Sequence, residues 1–402
     1  MRMLVLTTTF PRWHDDTVPG FVYELSKRLS ESELEIVVLA PHFNGAERFE
    51  IMDGMEVFRF PYFYPKKYQK LAYNGGIIPN IKKSNLSKLQ IPFLVLCELF
   101  YAYKIIKSEK IDIIHSHWVI PNGLVGAAFK KIYGIKHVTT AHAGDVFTIR
   151  NSLILRRITR CIFRNSDAIT ANSEYTKKII LSIDNTMDHK VKIIPMGVDT
   201  SRFSPKSRSD LKKSFDSEYL ILSVGRLVDK KGIEYLIESM KYVIKRHPNI
   251  KLIIGGSGPE RERLEKLSEN LNIENNIVFV GYISSQDLPK YYASSDIFIL
   301  PSIITKENDT EGLGVVLLEA MASGTPVVGS NIGGITDIIA DGVNGFLSNP
   351  GDSKSIADKI LKILEDEKLR SDFSNDGIKT VEEKFSWCVV SNRFFNLISE
   401  LI

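Results

Sequence analysis

The chain has 402 residues, of which 44% are hydrophobic and 25% are charged, and this composition excludes a disordered or low-complexity protein. A chain of this length is long for one hydrophobic core and favours two domains. Its three cysteines, Cys97, Cys161 and Cys388, are far apart and odd in number, so their spacing indicates neither a disulfide framework nor a metal cluster. We therefore expect a protein of the reducing cytoplasm.

Positive charge is concentrated in the first half of the chain. Residues 1–200 contain 27 Lys or Arg against 19 Asp or Glu, whereas residues 201–402 contain 25 against 29. Residues 61–110 alone hold nine lysines and two acids. No nucleic-acid-binding motif accompanies this charge, so we do not expect nucleic acid as a partner.

Two apolar stretches of the sequence are candidates for a membrane or targeting segment. Residues 91–103 form the most apolar stretch, which is too short to span a bilayer and carries Glu98, so no transmembrane helix is predicted there. Residues 1–10 are predicted to be a first strand, because the polar residues that follow stand where a signal peptide needs small ones.

Short apolar runs alternate with amphipathic helical stretches through the first half. The predicted elements are strand 3–7, helix 20–30, strand 35–39, strand 112–115, helix 123–133, strand 137–140 and strand 168–170. Near-continuous apolar strands separated by helices are typical of a parallel sheet covered on both faces. The first half is therefore predicted to be a doubly wound α/β domain.

A second alternation of the same kind follows a linker near residues 196–217. Its predicted elements are strands 219–224, 251–255, 277–280 and 297–300, and helices 232–246, 260–271 and 288–293. Two similar α/β halves joined once leave a cleft between the carboxyl ends of their strands, which is where such sheets bind ligands.

Cations and glycines follow the first strand of the second half. Gly225-Arg226 and Lys231-Gly232 flank the turn into the next helix, and glycines let the backbone approach a ligand closely. A cation pair on such a loop suits a diphosphate. The alternative is an ordinary solvated loop, since Arg and Lys are common at surfaces.

Two carboxylates interrupt the apolar segment "TEGLGVVLLEAMASGTPVVGS", at Glu311 and Glu319. An unpaired buried charge costs several kcal/mol, so each acid needs solvent or a polar partner. A helix starting around 312–314 would present free amides and the positive end of its dipole to phosphate, with one acid on sugar hydroxyls and the other on the ribose. The alternative is that Glu311 caps the helix and Glu319 faces solvent.

Histidines follow or lie in strands of the first half. His142, in Ala-His-Ala-Gly-Asp, follows strand 137–140 and is predicted to project into the cleft, although such a histidine also satisfies loop carbonyls. His115 and His117 lack a third metal ligand at useful spacing, so loop and packing roles are favoured for both.

These segments occur together in a recognisable order. The cation loop, "GYISSQDLPKYYASSDIFILPS", the two-glutamate segment and "GGITDIIADGVNGFL" follow one another, preceded by "IHSHWVIPNGLVGAA" and "TTAHAGDVF". Over nearly its whole length the chain resembles the retaining family 4 glycosyltransferases. The resemblance implies the GT-B fold, an α/β architecture of two Rossmann-like doubly wound domains facing across a cleft. The domains would be residues 1–196 and 197–384, with a last helix at 385–402 packing back on the first.

The resemblance also implies site residues, without metal or cofactor. Arg226 and Lys231 would bind the diphosphate of a nucleotide-sugar donor, and Glu319 would bind the ribose. Glu311 and the amides of the three residues after it would surround the sugar and the distal phosphate. The donor-binding set is Gly20, Gly225, Arg226, Lys231, Gly281, Ile283, Glu311, Gly312, Leu313, Gly314 and Glu319, and the catalytic set is His142 and Glu311. Related chains often carry a glycine pair at Gly20, where this chain has Pro19 and one glycine.

The implied function is transfer of a sugar from a nucleotide sugar to an acceptor hydroxyl, with retention at the anomeric carbon and without a divalent metal. Assembly of cell-surface polysaccharide, lipopolysaccharide or glycolipid is the expected setting, with a glycan or glycolipid acceptor. One alternative is a GT-B nucleotide-sugar epimerase, which needs an acid/base pair that we do not find. Another is a non-catalytic nucleotide-sugar-binding subunit.

Residues 61–110 predict association with the cytoplasmic membrane face. Six lysines, Lys66, Lys67, Lys70, Lys82, Lys83 and Lys88, are interleaved with Tyr62, Phe63, Tyr64, Tyr68 and Tyr73. Lysines are attracted to anionic headgroups, and aromatic side chains favour the interface. The alternative is a solvated insertion whose aromatic residues pack on the first domain.

Overall fold

The structure is a computed structural model that describes residues 1–14, 16, 20–73 and 75–402. Pro19 lies outside the described residues. The chain divides into two compact units, one formed by residues 1–194 and 390–402 and the other by residues 195–389. The sequence-based boundaries, 196/197 and 384/385, lie two and five residues from these.

The first unit is built on an eight-stranded sheet. Its strands are β1 Arg2–Leu6, β2 Glu35–Pro41, β3 Phe49–Met52, β4 Met55–Phe60, β5 Ile113–His117, β6 Lys136–Ala141, β7 Ala168–Ala171 and β8 Val191–Ile193. They lie in the order β3-β4-β2-β1-β5-β6-β7-β8, and every pairing is parallel except β3 with β4. From the central pair β1 and β5, the strand order runs outward in both directions along the chain. This reversal of direction makes the sheet doubly wound, as predicted.

Helices cover this sheet. They are α1 Phe21–Ser30, α2 Ile77–Lys83, α3 Asn85–Ser108, α4 Leu124–Tyr133, α5 Gly144–Ile149, α6 Leu153–Arg164 and α7 Glu174–Ile183. Two apolar clusters hold the layers together, one around Leu4, Val37 and Leu94, and one around Val146 and Ile169.

Helix α3 is longer than the apolar stretch of residues 91–103 that is by itself too short to span a bilayer. That stretch is the middle of a 24-residue helix. Among the described residues, α3 alone is long and apolar enough to cross a membrane by length and composition, a criterion that core helices of soluble proteins also meet. One face of α3 packs on the sheet, with Leu94 and Ala102 in the same cluster as Leu4.

The second unit has a six-stranded parallel sheet. Its strands are β9 Tyr219–Val224, β10 Ile250–Gly255, β11 Ile277–Gly281, β12 Ile297–Leu300, β13 Val327–Ser330 and β14 Phe346–Ser348, in the order β11-β10-β9-β12-β13-β14. The order reverses between β9 and β12. In open parallel sheets ligands bind outside the carboxyl ends of the strands at such a reversal.

The helices of the second unit complete its layers. They are α8 Leu211–Ser214, α9 Ile233–Arg246, α10 Arg261–Asn270, α11 Leu288–Ser294, α12 Val315–Ala322, α13 Ile335–Ile338, α14 Ser353–Glu365 and α15 Glu367–Lys384. The last helix, α16 Trp387–Leu401, starts in the second unit, and its residues from Val390 onward belong to the first. The core of the second unit lies around Ile221, Leu236 and Ile254.

Candidate functional site

Three glycine loops at the carboxyl ends of β9, β10 and β11 pack backbone against backbone. The amide of Gly225 donates to the carbonyl of Gly255 at 3.0 Å, and the amide of Gly256 donates to that of Gly281 at 2.6 Å. A side chain at Gly256 is excluded, because its Cβ would lie 1.9 Å from the carbonyl oxygen of Gly225 and its φ is +128°. These glycines bring the three strand ends into one continuous rim.

The loop after β9 places Lys231 beside that rim. Gly232 has φ +60°, and a Cβ there would lie 2.1 Å from the carbonyl oxygen of Pro301, so the turn fits closely against the end of β12. The lysine side chain passes Gly225, where an added Cβ would come within 3.4 Å of its Cε. Its Nζ donates to Oε2 of Glu311 at 2.6 Å. The fold thus joins three residues that the sequence analysis selected from distant segments.

The Lys231–Glu311 pair is charged and mostly shielded from solvent. The two side chains are 14% and 15% exposed. Burial alone would raise the pKa of Glu311, but the charge and hydrogen bond of Lys231 outweigh it, with help from Ser302, so the pKa lies below its usual value. Glu311 therefore stays ionised, and the reading of it as a helix cap is wrong, because α12 has no side-chain cap.

Glycines also shape the loop that carries Glu311. A Cβ at Gly333 would lie 2.2 Å from the carbonyl oxygen of Glu311, and one at Gly334 would lie 2.1 Å from that of Gly312. The amide of Gly334 donates to the Glu311 carbonyl at 3.1 Å. Leu313 is buried and anchors the loop. The "GGITD" segment therefore supports the glutamate loop from the end of β13.

Helix α12 begins at Val315 rather than at 312–314. Gly314 precedes it in the left-handed region, with φ +97°. The amide of Leu317 donates to the carbonyl of Gly314 at 2.8 Å. No side chain caps the helix, so the positive end of its dipole remains available to an anion.

Glu319, in the second turn of α12, has a protein partner that the sequence analysis missed. Its Oε2 accepts from the hydroxyl of Tyr292 at 2.8 Å. Burial raises the pKa of Glu319 to about 7, although the hydrogen bond from Tyr292 and the charge of Arg202 oppose that rise. Glu319 is half-buried and has a protein partner, so the alternative in which it simply faces solvent does not hold.

The remaining predicted residues of the second unit are placed less tightly. The side chain of Arg226 is exposed, and no ion pair to its guanidinium is found among the described residues. Ile283 covers Gly255, where an added Cβ would lie 2.5 Å from its Cδ1, and so it adjoins the glycine rim. Gly281 belongs to the rim itself, with φ +70°.

His142 of the first unit lies in an aromatic surround. Its ring centroid is 4.9 Å from that of Phe21 and 4.8 Å from that of Trp118. Phe21 is the first residue of α1 and directly follows Gly20, so the fold brings these two predicted residues together. A Cβ at Gly20 would meet no atom within 4 Å, and packing within the chain therefore does not require glycine there.

A strained turn holds His142, fixed by Asp145. Ala143 has φ +70° and Trp118 has φ +69°, conformations that cost non-glycine residues about 1–3 kcal/mol each. The buried Asp145 carboxylate accepts from the amides of His142, at 3.1 Å, and Val119, at 2.9 Å. It ties the two strained segments together, a role that the quoted motif did not reveal.

The hydrogen positions on His142 follow from its neighbour. Its Nε2 lies 3.1 Å from Nδ1 of His117, and burial lowers the pKa of both rings far enough to keep them neutral. Nε2 of His117 is buried and has no partner among the described residues. An unpaired buried acceptor is less unusual than an unpaired N–H. The favoured arrangement therefore has His117 donating to Nε2 of His142, whose hydrogen then sits on Nδ1.

His115 and His117 are strand residues with buried side chains. Nε2 of His115 lies 2.7 Å from the hydroxyl of Thr140, and the two histidine ring centroids are 4.2 Å apart. Within the part of the chain that the structure describes, no group of three His, Cys, Asp or Glu side chains is arranged to hold a metal ion.

Comparison with known proteins identifies the family. Residues 20–202 match the sequence profile of Glycosyltransferase Family 4, and residues 206–380 match that of the glycosyl transferases group 1. An uncharacterized glycosyltransferase of Methanocaldococcus jannaschii is 35% identical over 73% of this chain and 76% of its own length. The chain belongs to glycosyltransferase family 4.

Two other known proteins are similar to this glycosyltransferase over nearly its whole length. A GDP-mannose-dependent alpha-(1-6)-phosphatidylinositol monomannoside mannosyltransferase of Mycolicibacterium smegmatis is 25% identical over 99% of this chain and 98% of its own length. A sucrose-phosphate synthase from Thermosynechococcus elongatus superposes with a TM-score of 0.79 at 22% identity, covering 100% of this chain and 98% of that one. The fold of the glycosyltransferase is GT-B, as predicted.

The second unit of the glycosyltransferase thus presents the cation of Lys231, the uncapped start of α12, and two acidic side chains. The pKa of Glu311 is lowered, whereas that of Glu319 is raised. The cation and amides suit phosphate oxygens, and the carboxylates suit hydroxyl groups. Tyr292 and Asp145 are the two supporting residues that sequence reasoning missed.

Proposed function

We propose that the chain transfers a sugar from a nucleotide-diphosphate-sugar donor to an acceptor hydroxyl, with retention at the anomeric carbon. The observation that carries the proposal is the Lys231–Glu311 pair beside the glycine rim. Glu311 directly precedes the loop into α12, the helix that carries Glu319. Family membership supports the retaining outcome.

Different groups would bind the diphosphate of the donor and the hydroxyl groups of its sugar and ribose. Lys231, the exposed guanidinium of Arg226 and the amides of Gly312, Leu313 and Gly314 would bind the diphosphate, with the dipole of α12 behind them. Glu319, once ionised, would accept from both ribose hydroxyls, and Glu311 would accept from the sugar.

In the transfer step the bond between the anomeric carbon and the diphosphate oxygen breaks, and a bond to the acceptor oxygen forms on the same face. The acceptor hydroxyl passes its proton to the departing diphosphate oxygen on that face, and negative charge develops on the diphosphate as it leaves. Lys231, Arg226 and the helix amides stabilise that charge where it forms, which is the largest contribution that preorganised groups make. We also propose that His142, with its hydrogen on Nδ1, contacts the donor sugar or lines the acceptor pocket.

The proposed acceptor is a glycan or glycolipid at the cytoplasmic membrane face. The similar mycolicibacterial protein is named for a phosphatidylinositol mannoside. The lysine-rich segment 61–110 supports a surface that approaches anionic lipid.

A donor screen tests the proposal. We expect one nucleotide-diphosphate sugar in a panel to be consumed with release of the nucleoside diphosphate, and the same compound to raise the melting temperature. At a concentration of 100 times its Kd, a ligand stabilises the folded state by about 2.7 kcal/mol. The proposal would be wrong if no nucleotide sugar bound or was consumed, while a different ligand class stabilised the protein.

Chelation tests the proposed independence from metal. Since Lys231, Arg226 and helix amides are assigned to the phosphate charge, we expect EDTA to leave donor consumption within about twofold of the untreated rate. The untreated enzyme and one with added manganese serve as controls. Loss of activity in EDTA that manganese restores would contradict this part of the mechanism.

A further inference from the structure

Helix α3 carries apolar side chains on both of its sides. Its buried face combines Ser87, Gln90 and Glu98 with three apolar residues, and large apolar side chains stand in solvent on the other side. Those exposed residues are Leu89, Ile91, Phe93, Leu96, Phe100 and Tyr103. Only 28% of the most apolar 18-residue stretch of α3 is buried. An exposed apolar surface of this extent marks an interaction site.

The exposed residues form a stripe. Leu89, Phe93, Leu96, Phe100 and Tyr103 recur at alternating intervals of four and three residues, which places them on one side of a helix. Leu96 is 62% exposed and Phe100 is 52% exposed. We call these five residues the α3 stripe.

Lysines lie at both ends of the α3 stripe. The buried Gln90 holds the segment before it in place, since its Nε2 donates to the carbonyl of Tyr68 at 2.6 Å and its Oε1 accepts from the amide of Lys70 at 3.1 Å. This contact fixes a segment with exposed Lys66, Lys67 and Lys70 against the first turns of the helix. At the other end, Nζ of Lys104 lies 4.5 Å from the ring centroid of Phe100.

The two acids within residues 61–110 add little negative charge to this segment. Glu98 is buried without a partner among the described residues, and burial raises its pKa to about 8, so it is protonated at neutral pH. Glu109 pairs with Arg2 at 3.1 Å. These are the two acids of residues 61–110, against nine lysines.

We propose that the α3 stripe, flanked by these lysines, docks the protein on an anionic lipid bilayer, with α3 lying in the interface. The apolar side chains enter the headgroup region, and the lysines meet the lipid charge. The proposal gives the membrane-presented acceptor of the proposed function a defined contact surface. It also corrects the sequence-based interpretation, because Tyr62 and Tyr73 are each 2% exposed and cannot reach lipid.

Charge and packing favour this occupant over others. A second copy of the chain docked through the same face would bring the same lysines against these, and the two acids of residues 61–110 would not offset them, since one is protonated and the other is paired. A bilayer crossing would pull α3 from the sheet, where Leu94, Ala102 and Ile105 share the core with Leu4. An anionic lipid surface satisfies both the apolar stripe and the charge.

Vesicle flotation of the full chain, without donor, tests the proposal. We expect the wild type to float with vesicles of equal parts phosphatidylglycerol and phosphatidylcholine, and to be released by high salt. A Leu96→Gln/Phe100→Gln variant keeps good helix formers on an exposed face and should partition at least about tenfold more weakly. The matched control is Leu153→Gln/Ile154→Gln on α6 of the same unit, where both residues are more than 70% exposed, and it should float like the wild type.

Each alternative has its own signature. Equal flotation of the stripe variant and the wild type, or no flotation of the wild type, would overturn the proposal. A dimer of the wild type in sedimentation equilibrium that the stripe variant loses would assign the stripe to a second copy instead. The donor screen is carried out without vesicles, so failure here is separable from failure of the proposed chemistry.

Discussion

Replacing Lys231 with methionine is expected to weaken donor binding by about 1–3 kcal/mol, because a hydrogen bond to charged phosphate is lost. The same change should destabilise the fold by about 3 kcal/mol. Methionine keeps the apolar stem beside Gly225 but leaves Glu311 shielded from solvent without its cation. Calorimetric titration of the donor and urea unfolding measure the two effects.

A double variant separates binding from stability. In Lys231→Met/Glu311→Gln the stranded charge is removed, so stability should return most of the way to the wild-type value while donor binding stays weak. If the single and double variants are equally stable, the ion pair does not have the role assigned to it. Unchanged donor affinity in both would place the diphosphate elsewhere.

Donor binding is expected to weaken as the pH falls through about 7, because the pKa of Glu319 is raised to that value. The ionised carboxylate accepts from the two ribose hydroxyls more strongly than the protonated form, in which one oxygen is an O–H donor. Each pH unit below the midpoint should cost up to about tenfold in affinity. Titration calorimetry from pH 5.5 to 8.5 measures the profile, for which we expect Glu319→Gln to be flat. Tyr292→Phe should move the midpoint upward, since a hydrogen bond that lowers the pKa is lost.

Glu319 should give the stability of the donor-free protein the opposite pH dependence, so that stability falls as the pH rises. Between pH 4.5 and about 7 the folded state keeps the proton on Glu319 while the unfolded state loses it. Stability therefore falls as the pH rises through this window, by about 3 kcal/mol at most, and Glu319→Gln should remove that contribution. A wild-type and a Gln profile with the same slope would show that burial does not perturb Glu319 as described.

The strands of the second unit were predictable because parallel strands buried on both faces appear as continuous apolar runs. Strands 219–224 and 297–300 match β9 and β12 at both ends. The hairpin of β3 and β4 was missed, although its signal is present in the sequence. Asp53-Gly54 turns between the two strands with φ of +46° and +80°, which is the pairing that two-residue hairpins favour.

The side of α3 that is buried could not be predicted from the sequence in the same way. Its apolar residues occur on both sides of the helix, so their spacing does not indicate which side is buried. The buried side is marked by Gln90, which holds the backbone of residues 68 and 70. That contact is made to a neighbouring segment, which no periodicity within the helix expresses.

Some residues of the candidate site could be predicted from the sequence, and others could not. Gly225, Lys231 and Glu311 could be selected because residue type and position after a strand carry the chemistry. Tyr292 and Asp145 could not, because their importance lies in contacts with Glu319 and with the backbone of His142. Such supporting roles appear only when the fold brings the segments together.

A crystal structure of the chain with the nucleotide-diphosphate sugar found in the screen tests the donor site most directly. We expect a phosphate oxygen about 3 Å from Nζ of Lys231 and the ribose hydroxyls at the same distance from the carboxylate of Glu319. A nucleotide bound away from the glycine rim, with Lys231 and Glu319 contacting only Glu311 and Tyr292, would contradict the donor site assigned to the second unit.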